Sequence, residues 1–257
     1  METRIYATSL ARRTWLRARQ LFGGRERRRR RLVRAFVSRH GLTVRGGPFE
    51  GMTYVDRAVG PVLNLVPRLL GAYERELHAA IREVVREAPS VVVNVGSADG
   101  YYAVGLALRL PAAKVYAFDV DPYQRSLCGE LARANDVADR VRLGPKCDTS
   151  RLLRLPQRGA FVLVDCEGCE IDVLRPDRIP LLRRSKVVVE IHERTQPAAA
   201  SEIPARFSET HELCVIHPEP RRVQDYPDVR GLGPGAHELV LDEFRLQNVR
   251  WALFTPR

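Results

Sequence analysis

Short apolar runs alternate with amphipathic stretches along the middle of the chain. The runs are rich in valine and predict strands at 91–95, 115–118, 141–143, 161–164 and 187–191. Helical periodicity separates or flanks them at 72–87, 101–110, 124–135 and 201–207. Two further strands are predicted at 211–216 and 251–254. Strands and helices that alternate at short spacing indicate an α/β fold with a doubly wound, mostly parallel seven-stranded sheet.

An Arg-rich segment precedes this alternating region. Residues 1–45 contain 14 Arg but only two acidic residues, Glu2 and Glu26, whereas the remaining 212 residues carry 28 basic and 29 acidic side chains. The net charge of +11 therefore belongs to the first segment and says nothing about a site in the rest of the chain. We predict a basic helical arm at 1–45 and one domain at 46–257.

The second half of the arm is an amphipathic helix by its pattern. Leu32, Val33, Phe36 and Val37 share one helical face, and Gly41 is a typical helix end. Its apolar face could pack on the domain or on a second subunit, as in a homodimer, and this use is favoured. The arm could instead make peripheral contact with an anionic membrane surface. Contact with nucleic-acid phosphates is the third option.

The cysteines and the hydropathy bear on the compartment. Five cysteines are odd in number and sparse, which argues against a secreted disulfide scaffold. No run approaches about 18 apolar residues, the length of a membrane-spanning helix. We therefore expect a cytoplasmic protein with reduced thiols. Cys166 and Cys169 are expected to be small residues in a tight turn, because the other cysteines do not form a second pair with zinc-site spacing.

A loop of small residues follows the first predicted strand. Gly96, Ala98 and Gly100 let the backbone pass close to a ligand, and ligands of such sheets bind at the carboxyl ends of the strands. The loop departs from the dinucleotide pattern at Ala98 and Tyr101, and it lacks the Gly-Lys-Ser/Thr of a phosphate loop. Asp119 ends the second strand, where a carboxylate can accept hydrogen bonds from both hydroxyls of a ribose. This combination is typical of an S-adenosylmethionine site.

Several segments resemble the FkbM-type group of class I S-adenosylmethionine-dependent methyltransferases. They lie at 71–74, 94–102, 116–119, 164–170 and 189–192. The most specific segment is the hydrophobic-Asp-x-Glu-Gly-x-Glu motif that begins at Val164. The chain departs from the group at Asn94, where an acid is usual, and at Asp119, where Glu is common. The resemblance implies a class I methyltransferase-like fold, the cofactor S-adenosylmethionine and methylation of a hydroxyl on a sugar or natural product.

The strand ends and the resemblance together give the candidate site. The expected cofactor residues are Glu74, Asn94, Gly96, Ser97, Ala98, Gly100, Asp119, Val120, Asp148 and Asp165, with Asp148 matching an acid that holds the adenine. The expected catalytic residues are His192, Asp165 and Glu167. His192 is the preferred general base, because a histidine normally titrates near neutral pH and a hydroxyl acceptor must lose its proton. No metal is assigned. A cation held by Asp165, Glu190 and His192 is an alternative.

Two other functions remain open on the sequence. The chain could methylate RNA or protein with the arm as its docking element, or it could be a non-catalytic, membrane-associated module with the same fold. Asp165, Glu167 and Glu170 would repel phosphate, so nucleic acid is disfavoured as a partner. A small-molecule acceptor is the favoured partner.

Overall fold

A seven-stranded sheet forms the centre of the molecule. The computed structural model describes residues 23–232, 235–243 and 250–257. The strands are β1 Val91–Val95, β2 Lys114–Phe118, β3 Val141–Gly144, β4 Phe161–Val164, β5 Lys186–Ile191, β6 His211–Ile216 and β7 Arg250–Pro256. Their order is β3-β2-β1-β4-β5-β7-β6, with β7 antiparallel to β5 and β6 and the other neighbours parallel. This confirms the predicted sheet, which has the class I methyltransferase-like form that the resemblance implies.

Helices connect the strands and cover the sheet. The α-helices are α1 Gly23–His40, α2 Leu65–Leu70, α3 His78–Glu87, α4 Tyr101–Arg109, α5 Pro122–Ala134, α6 Thr149–Leu153, α7 Glu170–Val173, α8 Pro180–Arg183, α9 Ala199–Phe207 and α10 Ala236–Leu241. Short 3-10 helices span Asp56–Ala58, Arg75–Leu77, Val223–Asp225 and Pro227–Leu232. The helix predicted at 72–87 thus begins later than expected, because Glu74 adopts a left-handed backbone with φ 48°.

The two faces of the sheet bury separate apolar cores. Successive side chains of a strand point to opposite faces. Accordingly, Val92 and Val188 belong to the core beneath α1, α2 and α4, whereas Val93 and Val189 belong to the core beneath α8 and α9. Strands buried on both faces explain the continuous apolar runs in the sequence. The same alternation decides which face the polar residues at the strand ends share.

The basic helix α1 is packed on the domain. Val33 and Phe36 are buried in the same core as α2, and Gly41 follows the helix with a left-handed backbone. Arg29 is also buried, and its guanidinium pairs with Glu26 and donates to a backbone carbonyl. The favoured use of the apolar face is therefore confirmed for this helix. Residues 1–22 lie outside the described part, and the boundary at residue 45 stays a prediction. No helix among the described residues is long and apolar enough to cross a membrane.

Candidate active site

The loop after β1 is fixed against two neighbouring strands. The backbone N–H groups of Gly96 and Ser97 both donate to the carbonyl of Phe118, at 2.8 and 2.9 Å. Gly96 has φ 81°, and a Cβ at this position would lie 1.6 Å from the carbonyl oxygen of Asp165. Only glycine fits such a close approach. The loop therefore passes between the ends of β2 and β4, and a glycine at position 96 makes this path possible.

Asp119 fastens the same loop from the end of β2. One carboxylate oxygen accepts from the N–H of Ala98 at 2.8 Å, and the other accepts from the N–H of Asp121 at 2.8 Å. Each carboxylate oxygen has two lone pairs, so a carboxylate can accept more than one hydrogen bond per oxygen, including those of ribose hydroxyls. Val120, the next residue, is 61% exposed and offers an apolar surface beside this carboxylate. The structure thus brings Ala98, Asp119 and Val120 together, as predicted.

Two buried polar side chains of this region have no hydrogen-bond partner among the residues that the structure describes. Both ends of the Asn94 amide and the hydroxyl of Ser97 are unpaired, although the residues are only 1% and 4% exposed. A buried polar group without a partner costs about 1–3 kcal/mol, so such groups call for an explanation. A polar ligand held against the Gly96 loop would pair with them. The residues present therefore fit the amino-acid end of S-adenosylmethionine, and Asn94 replaces the usual acid with a group that can still hydrogen-bond.

Glu74 and Asp148 have local partners of their own. The carboxylate of Glu74 is buried and accepts from the hydroxyl of Tyr102. Asp148 is the N-cap of α6, where it accepts from the N–H of Arg151 at 2.9 Å and from the hydroxyl of Ser150 at 2.8 Å. Helix capping accounts for Asp148 without a ligand. Its contact with an adenine stays a prediction, as does the role of Glu74.

Four carboxylates surround His192 at the ends of β4 and β5. His192 Nδ1 lies 2.7 Å from Glu170 Oε1, and Nε2 lies 3.1 Å from Glu190 Oε2. Nε2 is also 3.5 Å from Asp165 Oδ1 and 3.6 Å from Glu167 Oε2. Glu190 and His192 share a face because they are two residues apart along the strand direction. The structure thus brings together all three predicted catalytic residues and adds Glu170, for which the sequence analysis assigned no role.

The surroundings of His192 change its expected role. Burial lowers the pKa of its imidazole, but hydrogen bonds to Glu170 and Glu190 and the charge of Asp165 outweigh burial and raise the pKa to about 12. Burial and the neighbouring Glu190 raise the pKa of Asp165 well above its usual range. His192 is therefore an imidazolium at neutral pH in this arrangement. The prediction that His192 titrates near neutral pH, on which its choice as general base rested, is therefore wrong.

Cys166 and Cys169 form a disulfide, with their Cα atoms 5.6 Å apart. Both lie in the turn between β4 and α7, as expected, but the expectation that their thiols are reduced is wrong. The turn after β4 brings them within the 4.4–6.8 Å range over which such bonds form. The disulfide encloses Glu167 and Gly168, so it lies directly beside the carboxylates around His192. The remaining cysteines, Cys128, Cys147 and Cys214, are free.

A buried ion pair supports the loop from behind and was missed by the sequence analysis. The guanidinium of Arg68 on α2 pairs with the carboxylate of Asp99, and both side chains are almost fully buried. Arg68 also lies over the ring of Tyr73, 4.5 Å from its centre. A single arginine within the apolar stretch at 58–70 was the available signal, since buried charges require a partner. This pair fixes the loop to the helical layer.

Comparisons with known proteins find structural similarity at low sequence identity. No family model matches the sequence, and no curated protein matches it. Among solved structures, an rRNA methylase from Streptococcus thermophilus is 14% identical with a TM-score of 0.49, covering 72% of this chain and 98% of that one. An O-methyltransferase from Bacillus cereus in complex with SAH is 11% identical with a TM-score of 0.44, covering 68% and 77%. A precorrin-6y C5,15-methyltransferase from Geobacter metallireducens is 14% identical with a TM-score of 0.47, covering 68% and 86%. Likenesses of this degree do not identify an activity, which has to come from the site itself.

Proposed function

We propose that this protein is an S-adenosylmethionine-dependent methyltransferase that methylates a hydroxyl group of a small molecule, such as a sugar or a natural product. The observation that carries the proposal is the pair of buried, unpartnered side chains of Asn94 and Ser97 beside the Gly96 loop. Asp119 at the end of the adjacent strand supplies acceptors for a ribose. The acceptor class follows the FkbM-type resemblance.

In this proposal the strand ends divide into two regions with different tasks. The cofactor supplies an activated methyl group, and the Gly96 loop and Asp119 hold it in place. Methyl transfer is an in-line displacement, so most of the catalysis is the positioning of the two reactants. Asp165 lies between the regions, because its carbonyl touches Gly96 and its carboxylate lies beside His192. The acceptor hydroxyl therefore approaches from the His192 side.

The proton of the acceptor hydroxyl goes to the carboxylates of this region. Glu167 is the most exposed of these carboxylates, with 48% of its side chain exposed against 27% for Asp165, and we assign it as the first proton acceptor. The protonated His192 stabilises the negative charge that develops on the acceptor oxygen. Asp165 and Glu190 hold the imidazolium on its Nε2 side. His192 thus keeps a catalytic role, as a cation instead of a base.

Calorimetric titration of S-adenosylhomocysteine into the full-length protein tests the cofactor site. We expect one molecule to bind per chain and Asp119→Ala to weaken binding by roughly 100-fold or more. This follows from the loss of two charge-assisted hydrogen bonds of about 1.5–3 kcal/mol each, since 1.4 kcal/mol is tenfold. Asp139→Ala is the control and should bind normally. Asp119 precedes α5, and Asp139 is an exposed acid beyond the other end of that helix. A folded wild-type protein that does not bind would overturn the proposal.

The acceptor class needs a second measurement. The protein is incubated with methyl-labelled S-adenosylmethionine and with three separate acceptor pools, namely hydroxylated small molecules, total RNA and soluble protein. Label in the small-molecule fraction, lost with Glu167→Gln, is the expected result. Label in RNA or protein would replace the small-molecule acceptor with the corresponding macromolecule. No transfer to any pool by a protein that binds cofactor would favour the non-catalytic module.

We also propose that a cytoplasmic form of the protein makes peripheral contact with anionic membranes through α1. Arg27, Arg28, Arg31 and Arg34 are exposed on this helix. Val33 and Phe36 of α1 are buried in the domain, and Leu32 and Val37 pack against the same core. The contact would therefore be electrostatic and should disappear at high salt. Sedimentation with phosphatidylserine vesicles at low and high salt tests this, with phosphatidylcholine vesicles as control. Equal binding to both lipids would refute the electrostatic contact. Light scattering of the protein without vesicles tests the homodimer.

A further inference from the structure

We infer that Asp165, Glu190 and His192 form a binding site for a divalent cation, for which Mn²⁺ is a suitable probe. One ligand atom from each of these residues lies within 4.8 Å of the other two. Two carboxylates and one imidazole are ligands that Mn²⁺ accepts, and the remaining positions are left for water or an acceptor oxygen. Among the residues that the structure describes, no other group of three or more His, Cys, Asp or Glu side chains brings its ligand atoms this close together.

The distances between the donor atoms suit a shared cation. His192 Nε2 is 3.1 Å from Glu190 Oε2 and 3.5 Å from Asp165 Oδ1. Ligands about 2.1 Å from a common ion lie roughly 3.0 Å apart at right angles and roughly 4.2 Å apart when opposite. Both observed separations fall between these values. A cation can therefore enter with small side-chain adjustments, since all three residues sit at or just beyond strand ends.

Glu170 gives the histidine the orientation that metal ligands have. Its carboxylate is fully buried and lies 2.7 Å from His192 Nδ1, on the side away from the other ligands. A metal-binding histidine almost always donates its second ring N–H to a carboxylate or carbonyl, which fixes the tautomer and aims the free nitrogen at the ion. With Nδ1–H held by Glu170, Nε2 faces Asp165 and Glu190, and its lone pair becomes available to an ion when the imidazolium gives up its Nε2 proton.

Unpaired atoms and charge are a second, independent indication. The atoms Asp165 Oδ1 and Glu170 Oε2 are buried and have no hydrogen-bond partner in the described ranges of the chain. For Asp165, Glu167 and Glu170, His192 is the one basic partner within the described part of the chain. These three carboxylates and that of Glu190 are gathered around one imidazole and leave an excess of negative charge, and buried charges are normally paired or bind metal. A divalent cation would supply the missing positive charge and would be bound by Asp165 Oδ1.

The use of this cation in catalysis rests on the proposed methyl transfer, whereas its binding does not. Asp165 lies on the acceptor side of the Gly96 loop, so an acceptor oxygen could occupy an open position on the ion. A bound cation lowers the pKa of a hydroxyl that coordinates it. On binding the cation, His192 would release its Nε2 proton to solvent and become a neutral ligand, and the cation would replace the imidazolium as the positive charge beside the acceptor oxygen. Glu167 would then take the proton of that hydroxyl.

Titration with Mn²⁺ tests the site directly. The loss of the electron paramagnetic resonance signal of free Mn²⁺ is followed as full-length protein is added. We expect one Mn²⁺ per chain, weakened at least tenfold by Glu190→Gln and by His192→Gln. Glu170→Gln should weaken binding roughly 10–100-fold, the usual effect of removing a carboxylate behind a histidine ligand. Glu212→Gln, an exposed carboxylate of β6, should bind like the wild type.

A second measurement needs no change in the site. Trp251 lies directly opposite Glu190 across β5 and β7, so the two side chains share one face. The other tryptophan is Trp15, and in Trp15→Phe protein all tryptophan fluorescence comes from Trp251. Bound Mn²⁺ should quench this fluorescence, and excess Mg²⁺ should restore it. Mn²⁺ that fails to bind, that binds without quenching, or that binds every variant equally would overturn the inference.

The two proposals fail in different ways. Each protein is also titrated with S-adenosylhomocysteine, which reports the fold of the cofactor loop. Wild-type protein that binds S-adenosylhomocysteine but not Mn²⁺ would refute the cation site alone. Protein that binds Mn²⁺ but not S-adenosylhomocysteine would refute the proposed function and leave the cation site standing.

Discussion

Replacing Gly96 with alanine should displace the cofactor loop and destabilise the protein. The loss of unfolding free energy has two parts, one from the backbone and one from an atomic overlap. Gly96 has φ 81°, and a left-handed backbone costs a residue with a Cβ about 1–2 kcal/mol. The new Cβ would also lie 1.6 Å from the carbonyl oxygen of Asp165 and 2.5 Å from its carbon. Relieving such an overlap typically costs a further 1–3 kcal/mol. We expect Gly96→Ala to lose about 2–5 kcal/mol of unfolding free energy.

Gly51 provides the matched control. It has φ 88°, almost the same backbone, but a Cβ there would have nothing within 4 Å. Gly51→Ala should therefore lose only the backbone part, about 1–2 kcal/mol. Urea unfolding of both variants measures the difference in unfolding free energy. Thermal unfolding should show the same difference as a melting temperature that is lower by several degrees for Gly96→Ala. Equal losses in the two variants would refute the close contact between the loop and β4, and with it the account of why this residue is glycine.

Three further predictions concern the support of the site and the rest of the chain. Arg68→Met should lose about 3–5 kcal/mol because Asp99 is left buried and unpaired, and adding Asp99→Leu should recover much of the loss in urea unfolding. Thiol titration of unreduced protein should find one reactive cysteine in the native state, the exposed Cys214, and three after denaturation. Burial lowers the pKa of His211 below the usual 6.5, although a hydrogen bond to a backbone carbonyl opposes the shift. Its contribution to stability is therefore present above pH 6.5 and is lost as the pH falls through the folded-state pKa, so His211→Gln should flatten the stability profile on the acid side.

The strands could be predicted from the sequence because each is a local apolar pattern. The bounds of β1, β4 and β6 agree with the prediction, and continuous runs such as Val91–Val95 reflect burial on both faces of the sheet. Helices of four to six residues, such as α7 and α8, were missed because they are too short to show a helical period. The close-fitting loop after β1 could also be predicted, because the spacing of its small residues is a local property of the sequence.

The environment of His192 could not be predicted in the same way. Its pKa depends on Glu170, which precedes it by 22 residues and belongs to another element. The identity of each residue was visible in the sequence, but their separation of 2.7 Å results from the packing of α7 beside β5. The same holds for the pair of Arg68 and Asp99, which are 31 residues apart. Chemistry at a site therefore needs the tertiary structure, even where the motif residues are recognised.

Asp165 leads to a last prediction, because it belongs to both regions of the site. Its carbonyl is in contact with the cofactor loop at Gly96, and its carboxylate is a proposed ligand of the cation. A ligand that orders the loop should also order this carboxylate, so S-adenosylhomocysteine should raise the affinity for Mn²⁺. Couplings of this kind are typically 5–150-fold, and linkage requires Mn²⁺ to raise the affinity for S-adenosylhomocysteine by the same factor. Titrating each ligand with and without the other measures both factors. If both factors equal one, the two regions are independent and Asp165 does not connect them; if both exceed one and agree, the residue joins cofactor binding to the acceptor side.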